Sequence, residues 1–180
     1  MSRDDDVLGA DSGAVGEHGL SIGNCCLCCE PVSACLFVEL ADGVPARGEE
    51  KARPTGGDIG SPAILDQLAT IAPVTAVRGN NDRDAWAANV PETDFLQVGA
   101  LFIYALHDLA LLDIDPAAAG VRVVVSGHSH RPLVEEREGV LFVNPGSAGP
   151  RRFSLPISAG ELIVEGTQLR ARIEQFDIRT

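Results

Sequence analysis

Val121-Arg122-Val123-Val124-Val125-Ser126-Gly127-His128-Ser129-His130 is the stretch that decides the fold. Branched apolar side chains, broken only by Arg122, favour an extended strand, and a continuous run of them favours one buried on both faces. The run stops at Ser126-Gly127, where glycine frees the backbone to turn. Two imidazoles follow at once. In an extended loop, residues two apart point the same way, so His128 and His130 are expected to face one centre. An α/β sheet collects its ligands in loops beyond the carboxyl ends of its strands, and this segment has that form.

The same grammar repeats on either side. Ser61-Pro62 reads as a helix start, with Ser as N-cap and Pro at the first helical position. Ile64, Leu65, Leu68 and Ile71 follow at helical spacing, and Pro73 ends the helix. Val74 to Val77 is a short β-prone run that delivers Gly79-Asn80-Asn81-Asp82. Phe95 to Val98 and Leu101 to Leu106 read as a hairpin about Gly99-Ala100 that ends at His107. Val140 to Val143 is stopped by Asn144-Pro145-Gly146, and Glu161 to Val164 pairs with Leu169 to Phe176 about Gly166. Asp58, Asn80, His107, His128 and His130 therefore all sit where a strand ends or a helix begins. Three of the four histidines in the chain fall into this ordered set. Imidazole, carboxylate and amide oxygen together suit manganese, iron or zinc better than calcium.

Gly57-Asp58, Gly79-Asn80-Asn81-Asp82, the single His107 and Gly127-His128-Ser129-His130, in that order, resemble the calcineurin-like metallophosphoesterases. Asn144-Pro145-Gly146-Ser147 is similar to the short bacterial phosphodiesterase branch, and the likeness runs from about Gly56 to Val164. The resemblance implies an α/β fold, an αββα sandwich of two mixed sheets with helices outside and metals at one edge. It implies an enzyme, a phosphoric diester hydrolase that attacks with a metal-bound hydroxide, a monoester being the lesser alternative. Two divalent cations are implied, manganese first, with iron, zinc or nickel as alternatives. Asp58 would bridge them; Asn80, His107 and His128 would complete one site, and His130 would serve the other. Asn81 and Arg83 would contact phosphate oxygens. No side chain is assigned as catalytic beyond the metal-bound hydroxide, because Asn81 stands where many relatives carry a proton-donating His. Asp82 and Asp108 would support the ligands rather than bind metal.

Residues 1–55 form an atypical N-terminal segment ahead of a metallophosphoesterase domain at 56–180. The segment has no sustained period of 3.6 or 2 apart from an apolar patch at Leu36 to Leu40. All five cysteines (Cys25, Cys26, Cys28, Cys29, Cys35) lie here, with ten acidic against four basic residues. The family opens with a strand leading to Asp-x-His, which supplies two ligands to the site that His130 shares. The chain has no Asp-x-His, so one metal site is incomplete and the first strand is missing or replaced. Three explanations stand side by side. The segment is read in a shifted frame, a view that fits a GC-rich gene in which only Lys51 of 14 basic residues is lysine. Or the chain has diverged into a one-metal enzyme or a catalytically impaired metal-binding or interaction protein. Or Cys25-x-x-Cys28 or Cys26-x-x-Cys29 supplies a replacement zinc site.

A net charge of −12 excludes nucleic acid held by its backbone, since that binding relies on Lys and Arg displacing counterions. Bound cations would reverse the charge locally, so a small soluble phosphodiester is the expected substrate. No apolar run approaches the roughly 18 to 20 residues of a membrane span, and Asp4-Asp5-Asp6 is the wrong charge for a secretory leader. A cytoplasmic protein without a membrane anchor is expected. Leu109 to Leu112 is expected either in the core or as a contact between copies in a homo-oligomer.

Overall fold

In a computed structural model the residues described are 36–40, 51–149 and 151–177. The cysteines, and with them both candidate zinc pairs, lie outside these residues. Strands β1 (Leu36–Leu40), β2 (Lys51–Thr55) and β3 (Val74–Ala76) open one sheet, and β4 (Thr93–Val98), β5 (Leu101–Leu106), β6 (Val123–Val125), β7 (Leu133–Arg137) and β8 (Val140–Asn144) make a second. The chain then returns to the first sheet through β9 (Ile157–Glu165) and β10 (Gln168–Phe176). The orders are β10-β9-β1-β2-β3 and β4-β5-β6-β8-β7, and both sheets mix parallel and antiparallel pairs.

The valine run behaves as its side chains dictate. All of β6 is buried, because β5 and β8 flank it in parallel and packing covers both of its faces. Val123 and Val125 point inward, joining Ile103, Val143, Leu162 and Ala52 in the layer between the sheets. Each such side chain contributes about 1.5–3 kcal/mol by leaving water. Val124 points outward with Tyr104, Leu106 and Phe142.

The outer layers are thinner than two rows of helices. Among the described residues there is one α-helix, α1 (Pro62–Ala69), which buries Ile64 and Leu68 against Ile59. Ser61 has the extended N-cap backbone, but its hydroxyl makes no capping hydrogen bond. The helix stops before Ile71, which is 39% exposed rather than on the packed stripe. Over the second sheet the cover is a 3-10 turn at Leu109–Leu111 and the loop after it. Leu109, Leu112 and Ile114 pack inward there, while Leu111 stays 73% exposed. Among the described residues no helix is long and apolar enough to cross a membrane.

Two features depart from the sequence reading. Strand β7 was not expected; it adds to the edge of β8 as a hairpin about Glu138-Gly139, and every one of its residues is exposed. The slot of the missing first strand is filled by the apolar patch Leu36–Leu40, so the sheet takes in residues ahead of position 56. That strand runs antiparallel to β2, with Val38 opposite Ala52, and parallel to β9. Its carboxyl end therefore points away from the edge at which β2 ends.

Candidate metal centre

Parallel strands place the expected ligands. β2 and β3 are parallel, as are β5, β6 and β8, and the chain beyond β2, β3, β5 and β6 carries Asp58, Asn80, His107 and His128 respectively. Two glycines let the first two loops meet. A Cβ on Gly79 would stand 2.1 Å from the Asp58 nitrogen and 2.2 Å from its Oδ1. A Cβ on Gly57, where φ is +83°, would stand 2.7 Å from both the Gly79 nitrogen and His107 Nδ1. No other residue fits either position without moving backbone.

Three side-chain atoms converge there. His107 Nε2 lies 2.8 Å from Asn80 Oδ1, His128 Nδ1 lies 3.1 Å from the same oxygen, and the two ring nitrogens are 3.2 Å apart. The His107 proton points elsewhere. His107 Nδ1 donates to the Gly56 carbonyl at 2.6 Å, leaving Nε2 to present its lone pair. His128 Nε2 lies 3.9 Å from Asp108 Oδ2, beyond hydrogen-bond reach. The lone pairs of His107 Nε2 and Asn80 Oδ1 face each other at 2.8 Å and repel unless a cation lies between them. The spacing also matches one: neighbouring ligands around an octahedral ion with bonds of about 2.1 Å are about 3.0 Å apart, against about 3.4 Å for a tetrahedral ion. The residues present fit a divalent cation.

Asp58 stands behind this triad. It is 5% exposed, and its Oδ1 is 3.7 Å from His107 Nε2. Both oxygens accept from Asn81, Oδ1 from the backbone nitrogen at 2.9 Å and Oδ2 from the side-chain amide at 2.8 Å. Asn81 thus holds Asp58 rather than standing free. Arg83 Nε donates to the Asn80 carbonyl at 3.0 Å, bracing that residue from the solvent side. Asp82 ties the loops together by accepting from Gly60 N at 3.0 Å and Gly79 N at 2.8 Å. Among the described residues no three His, Cys, Asp or Glu side chains meet as a cation cage by themselves; the cluster closes only through the Asn80 amide oxygen.

His130 is the residue expected to serve a second cation. Its Nδ1 is buried with no hydrogen-bond partner among the described residues. Burial holds its pKa below the ordinary imidazole value; the Arg152 cation acts in the same direction and Asp58 against it. The extended loop expected around it is corrected: His128 and His130 have φ of +59° and +55°, and Ser129 N donates back to Gly127 O at 2.7 Å. The loop is coiled, so a two-residue period does not set where the two rings point. Asp58, at +54°, is left-handed too, so three of the five non-glycine residues with such φ among the described residues are expected ligands. Strain of this kind persists where surrounding contacts hold it, and it concentrates at functional sites.

The brace that holds the loop was missed as such. Asn144, buried at the end of β8, donates from Nδ2 to Gly127 O at 2.6 Å and to Ser129 Oγ at 3.1 Å, while its Oδ1 accepts from Gly146 N at 3.0 Å. The available signal was an amide directly after a buried strand, where a turn alone would not need one.

The family model for the calcineurin-like phosphoesterase superfamily domain matches residues 55–166. A probable metallophosphoesterase from Methanothermobacter thermautotrophicus is 35% identical over 123 residues, 65% of this chain and 71% of that protein. Another, from Methanocaldococcus jannaschii, is 33% identical over 99 residues, which is 51% of this chain and 50% of that one. Among solved structures, Vps29 from Chaetomium thermophilum aligns with a TM-score of 0.57 at 20% identity, over 81% of this chain and 96% of its own, a likeness of fold.

Proposed function

The chain belongs to the calcineurin-like phosphoesterase superfamily, and on that premise we propose that it hydrolyses a small soluble phosphodiester in the cytoplasm. The observation that carries this reading is the convergence of Asn80 Oδ1, His107 Nε2 and His128 Nδ1 within 2.8–3.2 Å of one another. The family generally uses divalent metals. We assign these three residues to one cation, with manganese proposed, and Asp58 and His130 to a second. A bound divalent cation supplies Lewis-acid polarisation of the phosphoryl oxygens and lowers the pKa of a water toward neutrality.

The chain's own residues do the rest. The Gly56 carbonyl fixes the His107 tautomer, Asn81 orients Asp58, and Asn144 holds the His128 loop. Asn80 and His128 are exposed, so the cluster is open to substrate on that side. Arg83, exposed beside Asn80, is assigned to the phosphate oxygens, with Asn81 contributing beside it. Turnover of bis(4-nitrophenyl) phosphate with manganese, lost in His128→Ala, is the expected result. Equal turnover by the two proteins would sink the assignment.

A second reading has its own observation. Because β1 runs antiparallel to β2, its carboxyl end leads away from the His130 half. A protein that binds one cation and hydrolyses nothing would follow. One metal per chain, without turnover here or in a variant given a parallel first strand ending in Asp-x-His, would establish it. Turnover gained only in that variant would mark this chain as an impaired enzyme.

A further inference from the structure

The outer face of the second sheet is only partly covered. Its register sets Phe95 opposite Tyr104, Tyr104 opposite Val124 and Val124 opposite Phe142, with Gln97 and Phe102 as the next pair on the same face. Leu109, Leu112 and Ile114 pack against Tyr104, Leu106, Val124 and Phe142. That cover stops short of Phe95 and Phe102, which are 52% and 44% exposed, and Leu111 stands out of it into solvent. Tyr104 joins the bare rings to the cover: its ring centre lies 4.6 Å from that of Phe95, and its hydroxyl donates to Asp113 Oδ1 at 3.3 Å.

Apolar groups left together in water forgo the gain of burial, and such patches mark contact surfaces. The charges beside this patch are of both signs. Arg122 N donates to Phe102 O at 3.0 Å, which sets Arg122 alongside Phe102, and its Nε donates to Gly139 O at 3.2 Å. Asp113, held by Tyr104, is exposed like Arg122. Neither makes an ion pair among the described residues. The other charges nearby are engaged: Arg137 pairs with Glu135 and lies over Phe142, Arg78 pairs with Glu92, and Asp94 accepts from Phe95 N. One unmatched cation and one unmatched anion thus flank exposed rings.

We propose that two copies of this chain associate through this face, with Phe95, Phe102 and Leu111 at the centre and Arg122 of each copy paired with Asp113 of the other. A two-fold axis applies one patch to itself, so a patch carrying both signs is its own complement. A partner of a single sign would leave one of the two charges unmatched. Two molecules of net charge −12 repel at long range, so attraction must come from a local match of this kind. Aromatic and Arg side chains are favoured in interface cores. β4 is an edge strand, yet strand addition is not the mode, because Phe95 N already donates to Asp94 Oδ1 at 2.8 Å. The faces pack instead. The proposal uses no residue of the candidate metal centre and is independent of the hydrolase reading.

Sedimentation velocity on the full chain, from about 1 to 200 µM, tests this. The unaltered chain is expected to pass from monomer to dimer within that range. Phe102→Asp should raise the dissociation constant by about tenfold or more. Arg122→Asp and Asp113→Arg should each raise it by about fivefold, and the two together should bring it back to within about twofold of the unaltered chain. Phe153→Asp, which alters a bare ring outside this sheet, should leave it as it was. Circular dichroism identifies any variant that has lost its fold, and the charge swap, whose two residues are exposed, tests the contact without touching the core. A monomer at every concentration overturns the proposal. So does a dimer that Phe102→Asp leaves intact, because the contact then lies elsewhere. Single reversals that weaken the dimer without recovery in the double variant overturn the pairing of Arg122 with Asp113.

Discussion

At Gly79 the absence of one methyl group lets two loops touch. Gly79→Ala would drive a Cβ into the Asp58 backbone nitrogen at 2.1 Å, and backbone cannot swing aside as a side chain can. A loss of about 1–3 kcal/mol is expected by urea denaturation, together with weaker metal uptake. A midpoint equal to that of the unaltered chain would show that the loops are not held this closely. Asn144→Ala removes donors to Gly127 O and Ser129 Oγ and an acceptor for Gly146 N, the first and last of these bonds buried. A comparable loss of about 1–3 kcal/mol is expected from the unpaired groups. The accompanying sign is a fall in cobalt or manganese affinity as the His128 loop loosens, which simple destabilisation of a distant strand would not produce. That Asn80, His107 and His128 would come together was legible because their order along the chain is informative even when each alone is not. Their backbone was not: the left-handed φ of His128 and His130 follows from Asn144, a residue 16 and 14 positions away. Sequence spacing carries no such tether.

Helix α1 shows how far a local signal extends. The Ser61-Pro62 start is real as backbone, yet the hydroxyl caps nothing. Ser61→Ala should therefore change stability by no more than a few tenths of a kcal/mol, where a working cap would cost about 1 kcal/mol. Leu68→Ala, by contrast, empties a side chain that is 2% exposed and should cost about 2–5 kcal/mol. Thermal or urea melts of the pair would show it, and a loss of 1 kcal/mol or more in Ser61→Ala would restore the cap. The strands were legible in proportion to their burial. Val123–Val125, closed on both faces, announces itself by composition, and Leu101–Leu106 does nearly as well. Strand β7 has no buried residue to impose a period, so only its pairing with β8 defines it. Leu36–Leu40 was visible as an apolar patch, but its direction was not. Polarity is decided by what the chain does at both ends, and no short window contains that.

On the scale of the molecule, a cation bound between the two loop sets, as proposed, would couple metal binding to folding. Asn80 follows a strand of the first sheet, while His107 and His128 follow strands of the second. A cation held by all three links the sheets at their shared edge, so saturating manganese should raise the melting temperature and EDTA should lower it. At a hundredfold excess over the dissociation constant the gain is about 2.7 kcal/mol. His107→Ala should abolish the shift, and a shift that persists would place the ion elsewhere. The net charge of −12 adds to this, since a divalent cation also relieves repulsion across an acidic surface.

The antiparallel β1 has a consequence for what a fold can certify. A central slot in a mixed sheet selects for hydrogen-bonding backbone and apolar bulk, and both are indifferent to the direction in which the peptide is threaded. The chemistry at the sheet's edge is not indifferent, because only a strand arriving from one side carries its next residues into the centre. The scaffold thus has a polarity-blind inventory and a polarity-sensitive output. Within such a scaffold, the heading of a single strand separates two proteins that overall superposition would count as the same.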